Sequence, residues 1–313
     1  MIKKDISLKD YSNYKIGGLA SYFLEVLSIN DLVTGLKEWK EMKISNLNPP
    51  FVLAAGTKVL IDDKDYNGLI IHNKISGIER DGNTIKSGSG VKTSDLLNFC
   101  MQNSLSGLEW GAGLPGTIGG AVRGNAGAFK GETKDIVLNV SSLNFSTLKT
   151  SVWSNKECKF DYRDSIFKSG EGKNEIITEV LLKFTVGNQN EIKNKVEKLV
   201  NIRETKHPMG YPSLGSTFKN IPCDTLPEKL NEELKDCIKT DPFPLISVVK
   251  LLSLSGLKGA RIGGAQISEK QPNFIINLGN ASSNDVKALI KLAKERVMHK
   301  FGIKIEEEIV YLG

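Results

Sequence analysis

One stretch limits the possible folds more than any other. From Gly107 to Ala128 the chain reads GLEWGAGLPGTIGGAVRGNAGA, and eight of these twenty-two residues are glycine. A spacer built for flexibility is polar and serine-rich. This one carries Leu114, Pro115, Ile118, Ala121 and Val122 among its glycines. Apolar backbone of that kind is covered either by a closely packed neighbour, with glycine where the turns require it, or by a large flat ligand. A second small-residue stretch, Leu53 to Leu60 (LAAGTKVL), follows a short apolar run. Small side chains there let turned backbone amides approach an anion, and Thr57 adds a hydroxyl donor. The alternative is a plain turn between two strands. Gly111-Ala-Gly-Leu-Pro-Gly116 has the G-x-G-x-x-G spacing but does not come directly after a strand, and neither stretch reads G-x-x-x-x-G-K-[ST]. A Rossmann dinucleotide site and a P-loop are both unsupported.

Around these stretches the first half reads as short strands. Ser21 to Leu27 alternates apolar and polar residues; Phe51 to Ala55, Gly68 to His72 and Ile85 to Ser87 are brief apolar runs between glycine turns. Thr93 to Gln102 has helical spacing. Val137 to Phe145 and Ile176 to Val186 read as later strands. Asn188 to Thr205 returns to helical periodicity through Ile192, Val196, Leu199 and Ile202. A domain boundary is therefore expected near Gly187, giving units 1–187 and 188–313. The 313 residues suit two or three structural units. Ile221 to Pro244 is rich in proline and charge and is expected to be a surface excursion. A last helix spans Ser283 to Phe301, capped by Ser283 and ended by Gly302, and IKIEEEIVYLG follows as the final strand.

The formal charge of +6 is dispersed. It suits anionic ligands such as nucleotide phosphates and gives no basis for nucleic-acid binding. Cys100, Cys158, Cys223 and Cys237 form no C-x-x-C pair, and no histidine stands at metal-ligand spacing from them. They read as free thiols of a reducing compartment, with no metal site. Met1 to Tyr14 lacks an apolar core, so no signal peptide is expected, and no run is long enough for a membrane span. A cytoplasmic monomer is the expectation.

Several blocks then resemble a known family in order and spacing. They are Asn13-Tyr-Lys-Ile-Gly-Gly18, the Gly107 stretch, Phe160-Asp-Tyr-Arg-Asp-Ser-Ile-Phe-Lys168, Pro212-Ser-Leu-Gly-Ser-Thr-Phe-Lys-Asn220, Gly256-Leu-Lys-Gly259, Gly263-Gly-Ala-Gln-Ile-Ser-Glu-Lys-Gln-Pro-Asn-Phe274 and Phe301-Gly-Ile-Lys-Ile-Glu-Glu-Glu-Ile309. Together they resemble the UDP-N-acetylenolpyruvoylglucosamine reductases, in their shorter subtype. The resemblance implies an α+β fold: a vanillyl-alcohol-oxidase-type FAD-binding domain of two subdomains, then an α+β substrate domain. It implies noncovalent FAD held by Ala54, Ala55, Gly56, Thr57 and Lys58, by Leu114, Pro115, Gly116, Thr117, Gly119, Gly120 and Ala121, and by Arg203. The family's first loop usually reads Gly-Gly-Gly-Ser-Asn, so Ala54, Ala55 and Lys58 depart from it.

The implied reaction takes hydride from NADPH to C3 of the enolpyruvyl group of UDP-N-acetylglucosamine enolpyruvate and a proton to C2, giving UDP-N-acetylmuramate. Arg163 would meet the growing carboxylate charge, Glu308 would orient and polarise the same group, and Ser216 would deliver the proton. Lys206, Lys219, Asn220 and Gln271 would bind substrate. Out of context, Arg163 reads as a surface ion pair, Ser216 as a turn hydroxyl and the three glutamates as a solvated strand end. Two rival functions are another FAD-dependent oxidoreductase of the same fold, and a nucleotide-binding protein with a decayed site.

Overall fold

The computed structural model describes residues 1–313. They form two compact units, and the chain passes between them repeatedly. The first comprises residues 1–6, 20–55 and 67–202, and the second residues 7–19, 56–66 and 203–313.

The first unit holds two main sheets. One orders Lys3–Ser7, Leu19–Val26, Tyr66–Asn73 and Asn48–Leu53, the last two strands being parallel. The helix Ile29–Glu41, which sequence reading did not place, shares its core: Leu32 and Leu36 pack with Leu24, Val26, Leu69 and Ile71. Gly35 breaks the helical signal in the sequence, and its packing explains why it is there. A Cβ at Gly35 would lie 2.4 Å from the Leu24 side chain. The other sheet is antiparallel and orders Thr150–Ser154, Val137–Asn144, Glu175–Lys183, Thr84–Gly88 and Ile78–Asp81. Its buried Ile85, Val140, Val180 and Leu182 pack with Leu96, Leu97 and Cys100 of the helix Thr93–Gln102.

Val196 and Leu199 of the helix Gln189–Lys206 enter that same core. The chain therefore leaves the first unit between Ile202 and Arg203, not at the expected break near Gly187. Gly187 is a connection within the first unit, its amide bonded to the Ser104 carbonyl at 2.8 Å. The helical period was legible, but the core that receives its apolar stripe was not.

The second unit is built on an antiparallel sheet ordered Ser213–Ser216, Phe274–Asn277, Ala265–Ile267 and Arg261–Ile262. The helix Ser283–Phe301 buries Val286, Leu289, Ile290, Ala293 and Val297. Its N-cap is Ser282 rather than Ser283: Ser282 and Asp285 form a reciprocal capping box, and Gly302 ends the helix at φ +67°. The Asn13-Tyr14 block belongs to this unit. Buried Tyr14 donates to the Ile275 carbonyl at 2.6 Å, and Asn13 donates to Ser213 O at 2.6 Å.

Two further expectations are corrected here. Residues 221–244 are not a bare excursion: with Leu245–Ile246 they form a three-stranded sheet, and Leu234 and Cys237 are buried in the unit's core. The closing strand is short. Only Val310–Leu312 is a strand, parallel to Val59–Ile61. The alternation before it reflects burial of Ile303, Ile305 and Ile309, not a sheet ladder. No helix is long and apolar enough to cross a membrane.

Candidate active site

In the first unit, the Gly107–Ala128 stretch is not a continuous loop. It contains the short helix Ile118–Arg123, whose N-cap Thr117 accepts a hydrogen bond from the Gly120 amide at 3.3 Å. Part of its glycine content answers to backbone needs. Gly107, Gly113 and Gly116 have positive φ, and a Cβ on Gly119 would lie 2.8 Å from that of Ser89. Leu114 is half-buried and Pro115 exposed; the Ala121 amide closes onto Thr117 O at 2.8 Å. Gly120 is different. It is exposed, its φ is not positive, and a Cβ there would meet only Thr117 Oγ1, at 3.5 Å. Nothing in the chain requires glycine at that point.

Arg163 stands in the same unit, at the second corner of a tight turn closed by Asp161 and Asp164, whose amides and carbonyls exchange bonds of 3.1 and 3.2 Å. Its φ of +58° is left-handed, a costly conformation for a long side chain and one that recurs at functional sites. Its guanidinium donates to Gly127 O at 2.6 Å and to Asn125 O at 3.3 Å. Arg163 is thereby tied to the end of the glycine stretch.

The small-residue loop changes unit at its middle, with Ala54 and Ala55 in the first and Gly56 to Lys58 in the second. The departures from the family pattern fall where they cost little. Neither alanine has positive φ; the left-handed residue is Gly56, at φ +61°, where a Cβ would lie 2.0 Å from Tyr11 O. Within the first unit, His72 bonds to the Ala54 backbone and lies 3.3 Å from Glu25. Burial lowers its pKa, opposed by Glu25.

The second unit brings Ser216, Glu308 and Lys58 together. Ser216 ends the strand Ser213–Ser216, and the register slips between Ser213 and Ser216. Gly215, at φ +70°, makes that bulge and re-aims the residue after it. Ser216 as a residue is half-buried. The opposing segment is laced on by main-chain bonds: Glu308 N to Thr217 O at 2.8 Å and Lys219 N to Glu306 O at 2.9 Å. Asn273 supports it from the other side, bonding Phe218 through both its amide groups. Lys58 Nζ lies 3.3 Å from Glu308 Oε1 and donates to Ser216 O at 2.7 Å. The structure also separates the three glutamates. Glu306 is 71% exposed, Glu307 pairs with Lys294 and bonds Tyr311, and Glu308 is 16% exposed.

The remaining predicted residues divide. Arg203 is buried, and Lys206, one helical turn on, is exposed. With Lys270 they crowd His207, whose pKa falls to about 4 through burial first and these cations second. Lys219 sits 3.7 Å from Glu306. The Asn220 side-chain oxygen accepts from Val248 N at 3.1 Å, at the start of the helix Val248–Leu254, so that atom has a structural task. Gln271 Oε1 is buried with no hydrogen-bond partner. Sequence reasoning missed the bulge at Gly215 and the partners of Lys58. A glycine before serine was visible; the strand pairing that gives it meaning was not.

Comparison with known proteins follows the same division. Residues 207–312 match the C-terminal domain model of UDP-N-acetylenolpyruvoylglucosamine reductase, and residues 22–148 match an FAD binding domain. The UDP-N-acetylenolpyruvoylglucosamine reductase of Caldicellulosiruptor bescii is 37% identical over 312 residues, covering 99% of this chain and 90% of the relative. That of Caldanaerobacter subterraneus subsp. tengcongensis is 35% identical over 309 residues, covering 98% and 92%. The crystal structure of the Thermus caldophilus UDP-N-acetylenolpyruvylglucosamine reductase aligns over 100% of both chains, with a TM-score of 0.76 and 27% identity.

Proposed function

Because the chain belongs to the UDP-N-acetylenolpyruvoylglucosamine reductase family, we infer that it reduces UDP-N-acetylglucosamine enolpyruvate to UDP-N-acetylmuramate in peptidoglycan precursor synthesis, with FAD bound and NADPH as hydride donor. The observation that carries the reading is the Ser216–Glu308 pair. Ser216 sits on a strand bulge, the main chain of Glu308 is bonded to the next residue, Thr217, and one Lys58 ammonium reaches both the Ser216 carbonyl and the mostly buried Glu308 carboxylate, an arrangement that suits a reaction needing one proton delivered to carbon. The reading carries with it a cytoplasmic location and a monomeric enzyme.

The residues present fit FAD. Gly120 keeps a Cβ-sized space clear where no atom of the chain needs it, as backbone lying against a flat ring requires. In the first unit, Ala54, Ala55 and Leu114 to Ala121 would hold the cofactor. In the second, the amides of Gly56 and Thr57 and the Arg203 guanidinium suit its phosphates. Bound there, FAD would supply the hydride-transfer chemistry between NADPH and the substrate.

The chain's own residues then manage charge and one proton. Arg163 presents a planar, permanently charged fork to the substrate carboxylate, whose negative charge grows as C3 accepts hydride. Glu308 orients that group. Ser216 Oγ gives its proton to C2 and is reprotonated from solvent. Gln271 Oε1 accepts from a substrate donor, and Lys206, Lys219 and Asn220 meet its phosphates and sugar. The reading is tested by Ser216→Ala. Reduction of the enzyme by NADPH needs no C2 proton and should stay near wild type. Reoxidation by the enolpyruvyl substrate should slow by about 10²–10⁴-fold, the usual contribution of a general acid. Stopped-flow absorbance separates the two steps, and an unaltered second step would remove Ser216 from the mechanism.

A further inference from the structure

Lys58 stands where the family's small-residue loop usually has asparagine, and the position is expected to face cofactor phosphate. Its side chain is engaged otherwise. Nζ donates to the Ser216 carbonyl at 2.7 Å and lies 3.3 Å from Glu308 Oε1. Its own main chain is fixed as well, because Lys58 O accepts from Val310 N at 2.8 Å, two residues past Glu308. One ammonium thus spans the strand that carries the proton donor and the segment that carries the carboxylate.

We propose that Lys58 is a positioning residue of this reaction, holding Glu308 as an oriented carboxylate and fixing the main chain of Ser216. The proposal rests on the roles given above to Ser216 and Glu308. Its chemistry follows from the substrate. A bare carboxylate at Glu308 would repel an anionic substrate whose carboxylate gains charge during reduction, and would take up a proton to avoid it. An ammonium at 3.3 Å offsets that charge locally. An exposed ion pair would do little. Here Glu308 is 16% exposed and Lys58 37%, so the pair is partly shielded from water.

The two neighbouring glutamates have partners of their own. Glu306 is paired with Lys219, and Glu307 with Lys294 and the Tyr311 hydroxyl. Lys58 pairs with Glu308 itself. In the folded protein, the Glu308 carboxyl titration, followed by carbon-13 NMR, should move up by about one pH unit in Lys58→Met, the lower end of the effect of removing an adjacent opposite charge. Lys58→Arg should restore it.

The rates make a second readout. In Lys58→Met, reoxidation by the enolpyruvyl substrate should slow by about 10–10²-fold, since a preorganised charge is lost one step from the reacting atoms. NADPH reduction and FAD affinity should change little, and Lys58→Arg should recover most of the rate. Weakened FAD binding with an unmoved Glu308 titration would overturn the proposal and make Lys58 a phosphate ligand. An unmoved titration with wild-type rates would make it a surface ion pair. Wild-type enzyme that is not reoxidised by the enolpyruvyl substrate would sink the family reading instead, and the NMR titration would still decide the Lys58–Glu308 link.

Discussion

At the scale of single residues, His207 couples the candidate site to stability. Its ring lies against Phe274, centroids 4.9 Å apart, and Phe274 pairs across the sheet with Ser216. Burial and the charges of Arg203, Lys270 and Lys206 hold its pKa near 4. The unfolded chain, with histidine near 6.5, takes up a proton that the folded chain refuses. Stability should therefore be full above about pH 6.5 and decline as pH falls toward 4. The upper limit is about 3 kcal/mol, reduced by solvent screening. Urea unfolding at pH 7 and pH 4.5 checks this: His207→Phe should lose much of the pH dependence, leaving the part owed to His72, which burial shifts in the same direction. An identical pH dependence in both proteins would show that His207 is not the group titrating. None of this was legible in the sequence, where Arg203, Lys206 and His207 are near neighbours but Lys270 is 63 residues further on.

At the scale of elements, the helix Ile118–Arg123 sets two demands against each other. Glycine at Gly120 disfavours a helix relative to alanine by up to about 1 kcal/mol. The chain has room for the extra methyl group, so Gly120→Ala should raise the melting temperature of the FAD-free protein. The same methyl should intrude on a closely laid ring, weakening FAD binding by about 10–100-fold. Melting of the apoprotein and fluorescence titration with FAD read the two effects separately. A variant that gains stability and keeps its FAD affinity would show that the cofactor does not lie against Gly120. Element existence was largely legible. The helices Thr93–Gln102 and Ser283–Phe301 and the strand beginning at Val137 stand where apolar periodicity put them. The helix Ile29–Glu41 escaped notice because Gly35, required by the close approach of Leu24, interrupts its pattern. Ser216 and Glu308 could be picked out only by family resemblance. What joins them is a bulge and a set of main-chain bonds between segments about ninety residues apart, and local sequence carries no trace of those.

At the scale of the whole molecule, the two units are not consecutive segments. Residues 7–19 and 56–66 return to the second unit, so its core closes only when Tyr14, Ile16 and Leu60 join residues from the C-terminal third. A sequence scan for one boundary cannot express that arrangement, which is why the break at Gly187 looked sufficient. The central claim is that this interleaved chain uses bound FAD to reduce an enolpyruvyl nucleotide sugar, and an anaerobic single turnover tests it most directly. FAD-loaded protein is bleached with one equivalent of NADPH and mixed with UDP-N-acetylglucosamine enolpyruvate. The oxidised flavin spectrum should return within about a second, at a rate ordinary for enzymes, with one equivalent of UDP-N-acetylmuramate formed. Flavin that stays bleached until oxygen is admitted, with no saturated product, would contradict the account.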